Sequence, residues 1–276
     1  MALYGDSTVR NRLPSPRLVL DDGRPRFGAW SGFRDPAVVD VLAAEGFDWI
    51  CFDAQHGGAE VSEIKELIEA AHAFSVPTMV RVPGHDLGTA TRVLDAGAGG
   101  LIFPTIDDGA TAAALVAACR FPPRGRRSFG PTRRSPRYPS PVPGNAEDDA
   151  LCLLMVETAE GVANLDAILA AKPDGIFVGP FDLSLNLGLP FEDLTTGTGT
   201  AILADIAERC HAAGVVPGIY AGEPLLAQRM LSLGFRFMPV ASDGGLLAGA
   251  ARDAVSAARR PGKAAAPVAA RGPLDV

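Results

Sequence analysis

The chain has 276 residues, of which 47% are hydrophobic and 21% are charged, so it can bury a large core in one α/β barrel or two small domains. Its formal net charge of −7 argues against nucleic acid or an anionic membrane as the main partner, although one pocket could still bind a small anion. No run approaches the roughly 18 apolar residues of a membrane span, and the N-terminus lacks the apolar core of a signal peptide.

The four cysteines are far apart and form no CxxC pair: Cys51, Cys119, Cys152 and Cys210. Most have apolar surroundings, which favours reduced thiols in the core and a reducing environment. Together with the N-terminus, this pattern predicts a soluble, cytoplasmic protein.

Short apolar runs alternate with amphipathic stretches along the whole chain. The predicted strands are 27–30, 49–53, 78–81, 100–103, 151–156, 175–178, 217–220 and 235–240. The predicted helices are 36–44, 61–73, 88–96, 109–119, 159–171, 200–213, 224–233 and 245–258. Runs such as ICFD, LIFP and IFVG are almost continuously apolar, as is typical of parallel strands buried on both faces. This repeated strand–helix unit favours a closed (β/α)8 TIM barrel over an open sheet, and no GxGxxG fingerprint follows the first strand.

Two segments interrupt this alternation. Residues 121–149 are rich in Arg, Pro, Ser and Gly, and such a long connection is either functional or disordered. Residues 260–276 have little to bury and are expected to form a flexible tail. We therefore predict a single barrel over 1–259, with an N-terminal extension at 1–22 and the long connection at 121–149.

Two acidic residues follow neighbouring strands near the end that carries the active site in barrels of this class. Glu157 comes directly after the fifth predicted strand, and Asp182 lies shortly after the sixth. Two carboxylates there could bind one hard cation, with water and substrate oxygens as the remaining ligands. Alternatively, they form ion pairs with arginines or cap the helices that follow.

Other polar groups stand at the same end. His56 closes the DAQH motif after the second strand, where a neutral histidine could transfer a proton or have a structural role. Arg81 ends the third strand and could hold a substrate carboxylate as a bidentate pair, or pair with Asp53 or Glu157. The backbone after Gly179, where a helix begins, could offer N–H groups to an anion.

Eight segments between residues 23 and 258 together resemble one known family. They are GRPRFGAWSG, GFDWICFDAQHG, PTMVRVPG, LDAGAGGLIFPTID, RFPPRGRRSFGP, VETAEGVANLDAIL, DGIFVGPFDLS and FMPVASDGGLL. In order and spacing they resemble the HpcH/HpaI aldolases, metal-dependent class II enzymes with a barrel of the phosphoenolpyruvate/pyruvate superfamily. The resemblance implies reversible cleavage of 4-hydroxy-2-keto acids to pyruvate, or a related 2-keto acid such as hydroxypyruvate, and an aldehyde.

The resemblance also implies residue roles. Glu157 and Asp182 would ligate Mg2+, Mn2+ or Co2+, which would bind the keto acid and stabilise its enolate. Arg81 would contact the keto oxygen, and His56 would transfer protons through a metal-bound water. Asp53 would orient this network.

Further roles implied by the resemblance concern the surroundings of that centre. Asp95 would pair with the catalytic histidine, and Trp30 would stand beside the aldehyde cavity. The backbone of one turn would hold the pyruvate carboxylate: Gly179, Pro180, Phe181 and Asp182. Family members are commonly hexamers, so a homo-oligomer built as a trimer of dimers is expected, with active sites near subunit contacts.

This chain departs from the family pattern in three motifs. Met155 stands where relatives often have Gln, so a polar contact to the keto acid would be absent or supplied from elsewhere. Phe181 replaces an Ala and would narrow the aldehyde side of the pocket. DAQH replaces DGEH and loses one acidic charge near the histidine.

Two other interpretations remain open. A CoA-thioester lyase of the citrate-lyase β type would need an added segment for CoA, which the sequence does not suggest. A non-catalytic keto-acid-binding barrel would share the fold without the reaction. The arginines of the long connection could meet an anionic aldehyde or a neighbouring subunit, or be solvated: Arg124, Arg126, Arg127, Arg133, Arg134 and Arg137.

Overall fold

The computed structural model describes Leu20, residues 23–130, Asn145 and residues 150–260, which fold into a closed barrel of eight strands. The strands are β1 (Arg26–Ser31), β2 (Trp49–Asp53), β3 (Thr78–Arg81), β4 (Gly100–Phe103), β5 (Leu151–Val156), β6 (Gly175–Val178), β7 (Val216–Ile219) and β8 (Phe237–Ser242). They pair in parallel in chain order, and β1 closes the barrel against β8. The predicted (β/α)8 barrel is confirmed.

Helices connect the strands around the outside. They are α1 (Pro36–Ala44), α2 (Ile64–Ala73), α3 (Leu87–Ala96), α4 (Gly109–Cys119), α5 (Ala159–Ala163), α6 (Leu165–Ala170), α7 (Pro180–Leu187), α8 (Phe191–Thr196), α9 (Thr200–Ala212), α10 (Pro224–Ser232) and α11 (Asp243–Arg259). The stretch 159–171, predicted as one helix, is two, because the backbone leaves helical geometry at Asn164. Between residues 178 and 200 the sequence predicts a helix start after Gly179 but no helix bounds, and α7 and α8 both lie there.

Acidic side chains anchor several helices. Asp35, Asp86 and Asp108 accept hydrogen bonds from first-turn N–H groups of α1, α3 and α4, which satisfies donors that the helices leave free. Asp243, at the start of α11, accepts a hydrogen bond from the Ser31 hydroxyl at 2.9 Å. It also accepts from the backbone N–H groups of Gly32 and Phe33 at 3.1 and 2.9 Å. This carboxylate ties the end of β1 to α11.

Strand β2 illustrates how the core positions polar groups. Ile50 and Phe52 face the helices and belong to the outer layer of the core. Trp49 and Cys51 face the barrel interior, where the indole of Trp49 stacks on Phe237 at 4.0 Å. Side chains alternate between the two faces, so Asp53 shares the interior face and lies where β2 ends.

Helix α11 packs differently from its neighbours. Only Asp243 of this helix is buried, and every residue from 250 to 260 is exposed. Leu247 is 62% exposed and Val255 is 49% exposed. The barrel of one chain therefore does not cover the apolar side chains of α11.

Several predicted segments lie outside the described residues. They include residues 1–19 of the extension, most of the connection 131–149 with Arg133, Arg134 and Arg137, and the tail from 261. All four cysteines are buried free thiols. Within the described ranges, no helix is both long and apolar enough to cross a membrane.

Candidate active site

Three charged side chains lie at the C-terminal mouth of the barrel, next in line after side chains that face its interior. Asp53 ends β2 and Arg81 ends β3, where their Cα atoms are register partners, and Glu157 comes directly after β5. Each lies two residues beyond a side chain of the barrel interior: Cys51, Met79 and Met155. Strand periodicity thus directs all three toward the barrel axis.

Asp53 and Arg81 form a bidentate ion pair. The Arg81 Nε and Nη2 groups donate to Asp53 Oδ1 and Oδ2 at 2.9 and 2.5 Å. Trp30 Nε1 donates to Oδ2 at 3.2 Å, and the backbone N–H groups of Gln55 and His56 donate to Oδ1, both at 3.1 Å. Of the alternatives for Arg81, the pair with Asp53 is the one that forms.

This network determines the charge of both partners. Burial acts to raise the pKa of Asp53, but the hydrogen bonds and charge of Arg81 outweigh it and leave that pKa lowered. Burial acts to lower the pKa of Arg81, but Asp53 more than compensates and raises it. Both groups are therefore ionised at neutral pH, although they are largely buried.

Glu157 is only 6% exposed, and its two oxygens have different environments. Oε1 accepts hydrogen bonds from the Thr105 backbone N–H at 2.8 Å and from the Thr105 hydroxyl at 3.0 Å. Oε2 is also buried, yet it has no hydrogen-bond partner among the described residues. A buried carboxylate oxygen without a partner is unfavourable unless a ligand supplies one.

The surroundings of Oε2 fit a divalent cation. Burial raises the pKa of Glu157 above its usual range, and the nearby Asp182 carboxylate adds to this, against the opposing hydrogen bonds from Thr105. A Cβ atom at Gly179 would lie only 2.3 Å from Oε2, so only glycine leaves this space open. In the described part of the chain no three potential ligands among His, Cys, Asp and Glu cluster, so two carboxylates would be the protein's share of the ligands.

These groups open into a cavity of about 410 Å³. Four predicted residues line it, namely His56, Arg81, Glu157 and Asp182, together with Gln55 and Thr105. The structure thus brings together an arginine, a histidine and two carboxylates from the ends of different strands.

The turn after β6 begins α7, with Gly179 as its N-cap and Pro180 as its first residue. The first hydrogen bond of the helix runs from the Leu183 N–H to the Gly179 carbonyl at 3.0 Å. The N–H groups of Phe181 and Asp182 come before it and therefore have no partner within the helix. The Phe181 side chain, however, is 61% exposed and lies 6.2 Å from the Phe191 ring. Phe181 is not among the residues that line the cavity, and its effect on the width of the pocket stays a prediction.

Trp30 and Met155 lie beneath the cavity, not in its wall. Trp30 is 5% exposed, stacks with Phe177 at 5.7 Å, and has the Arg81 guanidinium over its ring at 5.1 Å. Met155 is 2% exposed in the same interior cluster. Trp30 thus supports Asp53 and Arg81, and its place beside the aldehyde stays a prediction.

Asp95 is not part of this site within one chain. It lies in the last turn of α3, which leads to the N-terminal end of β4, at the opposite end of the barrel from the mouth. Its carboxylate pairs with Arg127, in the described part of the long connection, at 3.4 Å. The predicted pairing of Asp95 with His56 is not formed inside a single chain.

Sequence reasoning did not identify Gln55 and Thr105 as part of the cavity. Thr105 follows β4 just as Glu157 follows β5, so reading the end of every strand would have found it. Gln55 lies inside the DAQH motif, but its buried Oε1 without a partner among the described residues is visible only in three dimensions.

The closed barrel, with charged residues at the C-terminal ends of its strands, defines a (β/α)8-barrel enzyme. Residues 26–250 match the model of the HpcH/HpaI aldolase/citrate lyase family, and the chain belongs to that family. The resemblance inferred from the sequence segments is confirmed.

Individual relatives cover nearly the whole barrel. The chain is 35% identical to the hydroxypyruvate/pyruvate aldolase of Rhizorhabdus wittichii, over 88% of this chain and 98% of that protein. It is 34% identical to the 4-hydroxy-2-oxovalerate aldolase of Rhodococcus jostii, over 87% of this chain and 94% of that protein. The solved structure of an HpcH/HpaI aldolase/citrate lyase family protein from Burkholderia cenocepacia matches this chain with a TM-score of 0.77 and 30% identity. The match covers 88% of this chain and 98% of that one.

Proposed function

We propose that this protein is a divalent-metal-dependent aldolase that reversibly cleaves 4-hydroxy-2-keto acids to an aldehyde and pyruvate, or a related 2-keto acid such as hydroxypyruvate. The observation that carries the proposal is the buried Oε2 of Glu157, which faces space kept open by Gly179 beside Asp182. Similarity to aldolases over most of the chain supports the same reaction class.

Glu157 and Asp182 are the residues that would hold the cation, Mg2+, Mn2+ or Co2+. When bound, such an ion supplies Lewis-acid polarisation of the 2-keto group. The N–H groups of Phe181 and Asp182 at the start of α7 are available for the carboxylate of the keto acid, because helix N-termini favour anions.

Arg81 stabilises the negative charge that develops on the keto oxygen. Its Nε and Nη2 groups are used by Asp53, which leaves Nη1 for the substrate. Because Asp53 and the Trp30 ring fix the guanidinium before substrate binds, little reorganisation is needed during the reaction.

His56 is the proton-transfer group in the cavity wall. In the cleavage direction it accepts the proton of the 4-hydroxyl, the C3–C4 bond breaks, and its electron pair passes to C3 of the keto acid as the aldehyde carbonyl forms. The proton that His56 has taken is then delivered to C3, which completes the methyl group of pyruvate and returns His56 to its neutral form. The Asp53 carboxylate accepts from the His56 backbone N–H and so fixes this segment.

The test is synthesis from pyruvate and a panel of aldehydes, with Mg2+ or Mn2+ present and the 4-hydroxy-2-keto acids measured by chromatography. We expect product that disappears with EDTA and returns when the ion is restored. Unchanged synthesis by a protein shown to be metal-free would contradict the proposal.

We also propose that the protein works in the cytoplasm as a homo-oligomer, a hexamer built as a trimer of dimers. Four buried free thiols suit a reducing compartment. The apolar side chains of α11 that one barrel leaves exposed, such as Leu247 and Val255, favour packing against a second copy.

A further inference from the structure

Thr105 and Glu157 both line the cavity, and Thr105 contacts the Glu157 carboxylate twice. Its backbone N–H and its hydroxyl both donate to the same oxygen, Glu157 Oε1, at 2.8 and 3.0 Å. The other oxygen receives no hydrogen bond from any described residue. One residue thus uses both of its donors to hold one side of the carboxylate.

The backbone of Thr105 is strained in order to make these bonds. Its φ angle is +50°, in the left-handed region that β-branched residues rarely enter. The turn is fixed on both sides: the His85 ring nitrogen bonds to the Pro104 carbonyl at 2.7 Å, and Ile106 N–H donates to the Met155 carbonyl at 2.9 Å. Strain of this kind persists where the surroundings hold it in place, and it occurs often at functional sites.

We propose that Thr105 is a positioning residue that occupies Oε1 of Glu157 and so presents Oε2 alone to the cation. This inference rests on the proposed metal site. With Oε1 committed to two donors, Glu157 would offer a cation one oxygen in one orientation. The chain would then gain affinity because the ligand is oriented before the ion arrives.

Two substitutions separate the hydroxyl from the shape of the side chain. Thr105→Val keeps the branched shape but removes the donor, and Thr105→Ser keeps the donor. The readout is the Kd for Mn2+, measured by calorimetry on the full-length protein without keto acid. We expect Thr105→Val to weaken Mn2+ binding about 10- to 100-fold, as loss of a group that orients a metal ligand typically does, and Thr105→Ser to stay near the wild-type value.

Thr105→Gly provides a second variant if valine prevents folding. Glycine adopts a φ of +50° without strain and retains the N–H donor, but it lacks the hydroxyl. It should therefore show the same loss of Mn2+ affinity. Wild-type affinity in either variant, with circular dichroism confirming the fold, would overturn the role of Thr105.

Glu157→Ala distinguishes failure of this inference from failure of the proposed function. If Glu157→Ala abolishes Mn2+ binding while Thr105→Val binds like the wild type, the metal site stands and the role of Thr105 is wrong. If the wild type and Glu157→Ala bind Mn2+ equally, both the metal site and the role of Thr105 are wrong.

Discussion

Asp53 is the residue at which burial and charge oppose each other most directly. It is 6% exposed and ionised, and it is stabilised by the fork of Arg81, the Trp30 indole and two backbone N–H groups. Because its pKa is lowered on folding, its charge stabilises the folded state above the unfolded-state pKa of about 3.9. That contribution is lost as the pH falls through the lower folded-state pKa.

Asp53→Asn tests this balance. It removes the charge and leaves the Arg81 guanidinium buried without an ionic partner, so the protein should unfold more easily in urea at pH 7. At pH 3, below the unfolded-state pKa of about 3.9, the difference from the wild type should be smaller, because the unfolded wild-type carboxylate is then protonated and the charge of Asp53 favours folding less. A difference that is the same at both pH values would show that the charge of Asp53 is not the cause.

Arg81→Lys should lower kcat/KM of the aldol reaction by roughly 100-fold or more, the effect of losing one donor to a developing oxyanion. A lysine cannot both pair with Asp53 through two parallel bonds and reach the substrate. Arg209→Lys is a matched control, since Arg209 pairs with the exposed Asp166 on α6, outside the cavity. Equal activity in the two variants would remove Arg81 from the mechanism.

For residues at strand ends, strand periodicity alone determines the direction of the side chain. Asp53, Arg81 and Glu157 end or follow strands, so their inward orientation follows from the pattern. Phe181 lies on a helix, where the direction of a side chain depends on where the helix begins, and its 61% exposure does not follow from the sequence pattern. Asp95 shows another limit, because a family motif does not say whether two residues meet within one chain.

At the scale of elements, β2 to β6 have the predicted bounds because each apolar run is bounded by polar or small residues. Strand β8 begins two residues later than predicted, since Phe235 is buried in the outer core layer before the strand starts. The extent of α7 and the presence of α8 were not predicted, because 8 and 6 residues are too few to show a helical period.

The start of α7 gives a prediction at this scale. Gly179→Ala places a methyl group where Glu157 Oε2 now lies, 2.3 Å away, so the carboxylate must move. Mn2+ affinity, measured by calorimetry, should fall sharply. Gly84→Ala is the control, because a Cβ there meets nothing within 4 Å. Equal Mn2+ affinity in the two variants would mean that the space beside Gly179 is not the metal site.

At the scale of the whole molecule, barrel closure brings residues that are distant in sequence to one mouth, while α11 remains uncovered. Light scattering of the purified protein should give about six times the chain mass of 28.6 kDa. Leu247→Glu, which charges the exposed apolar surface of α11, should reduce that mass. A wild-type protein that scatters as a monomer would contradict the proposed assembly.

Glu157 and Asp182 are proposed to hold a metal ion that activates a 2-keto acid. The most direct measurement is exchange of the pyruvate methyl protons in D2O, followed by NMR without any aldehyde. We predict exchange with Mn2+ or Mg2+ that is lost with EDTA and in folded Glu157→Ala. A protein that binds pyruvate but shows no metal-dependent exchange, or exchange that survives in Glu157→Ala, would contradict the account.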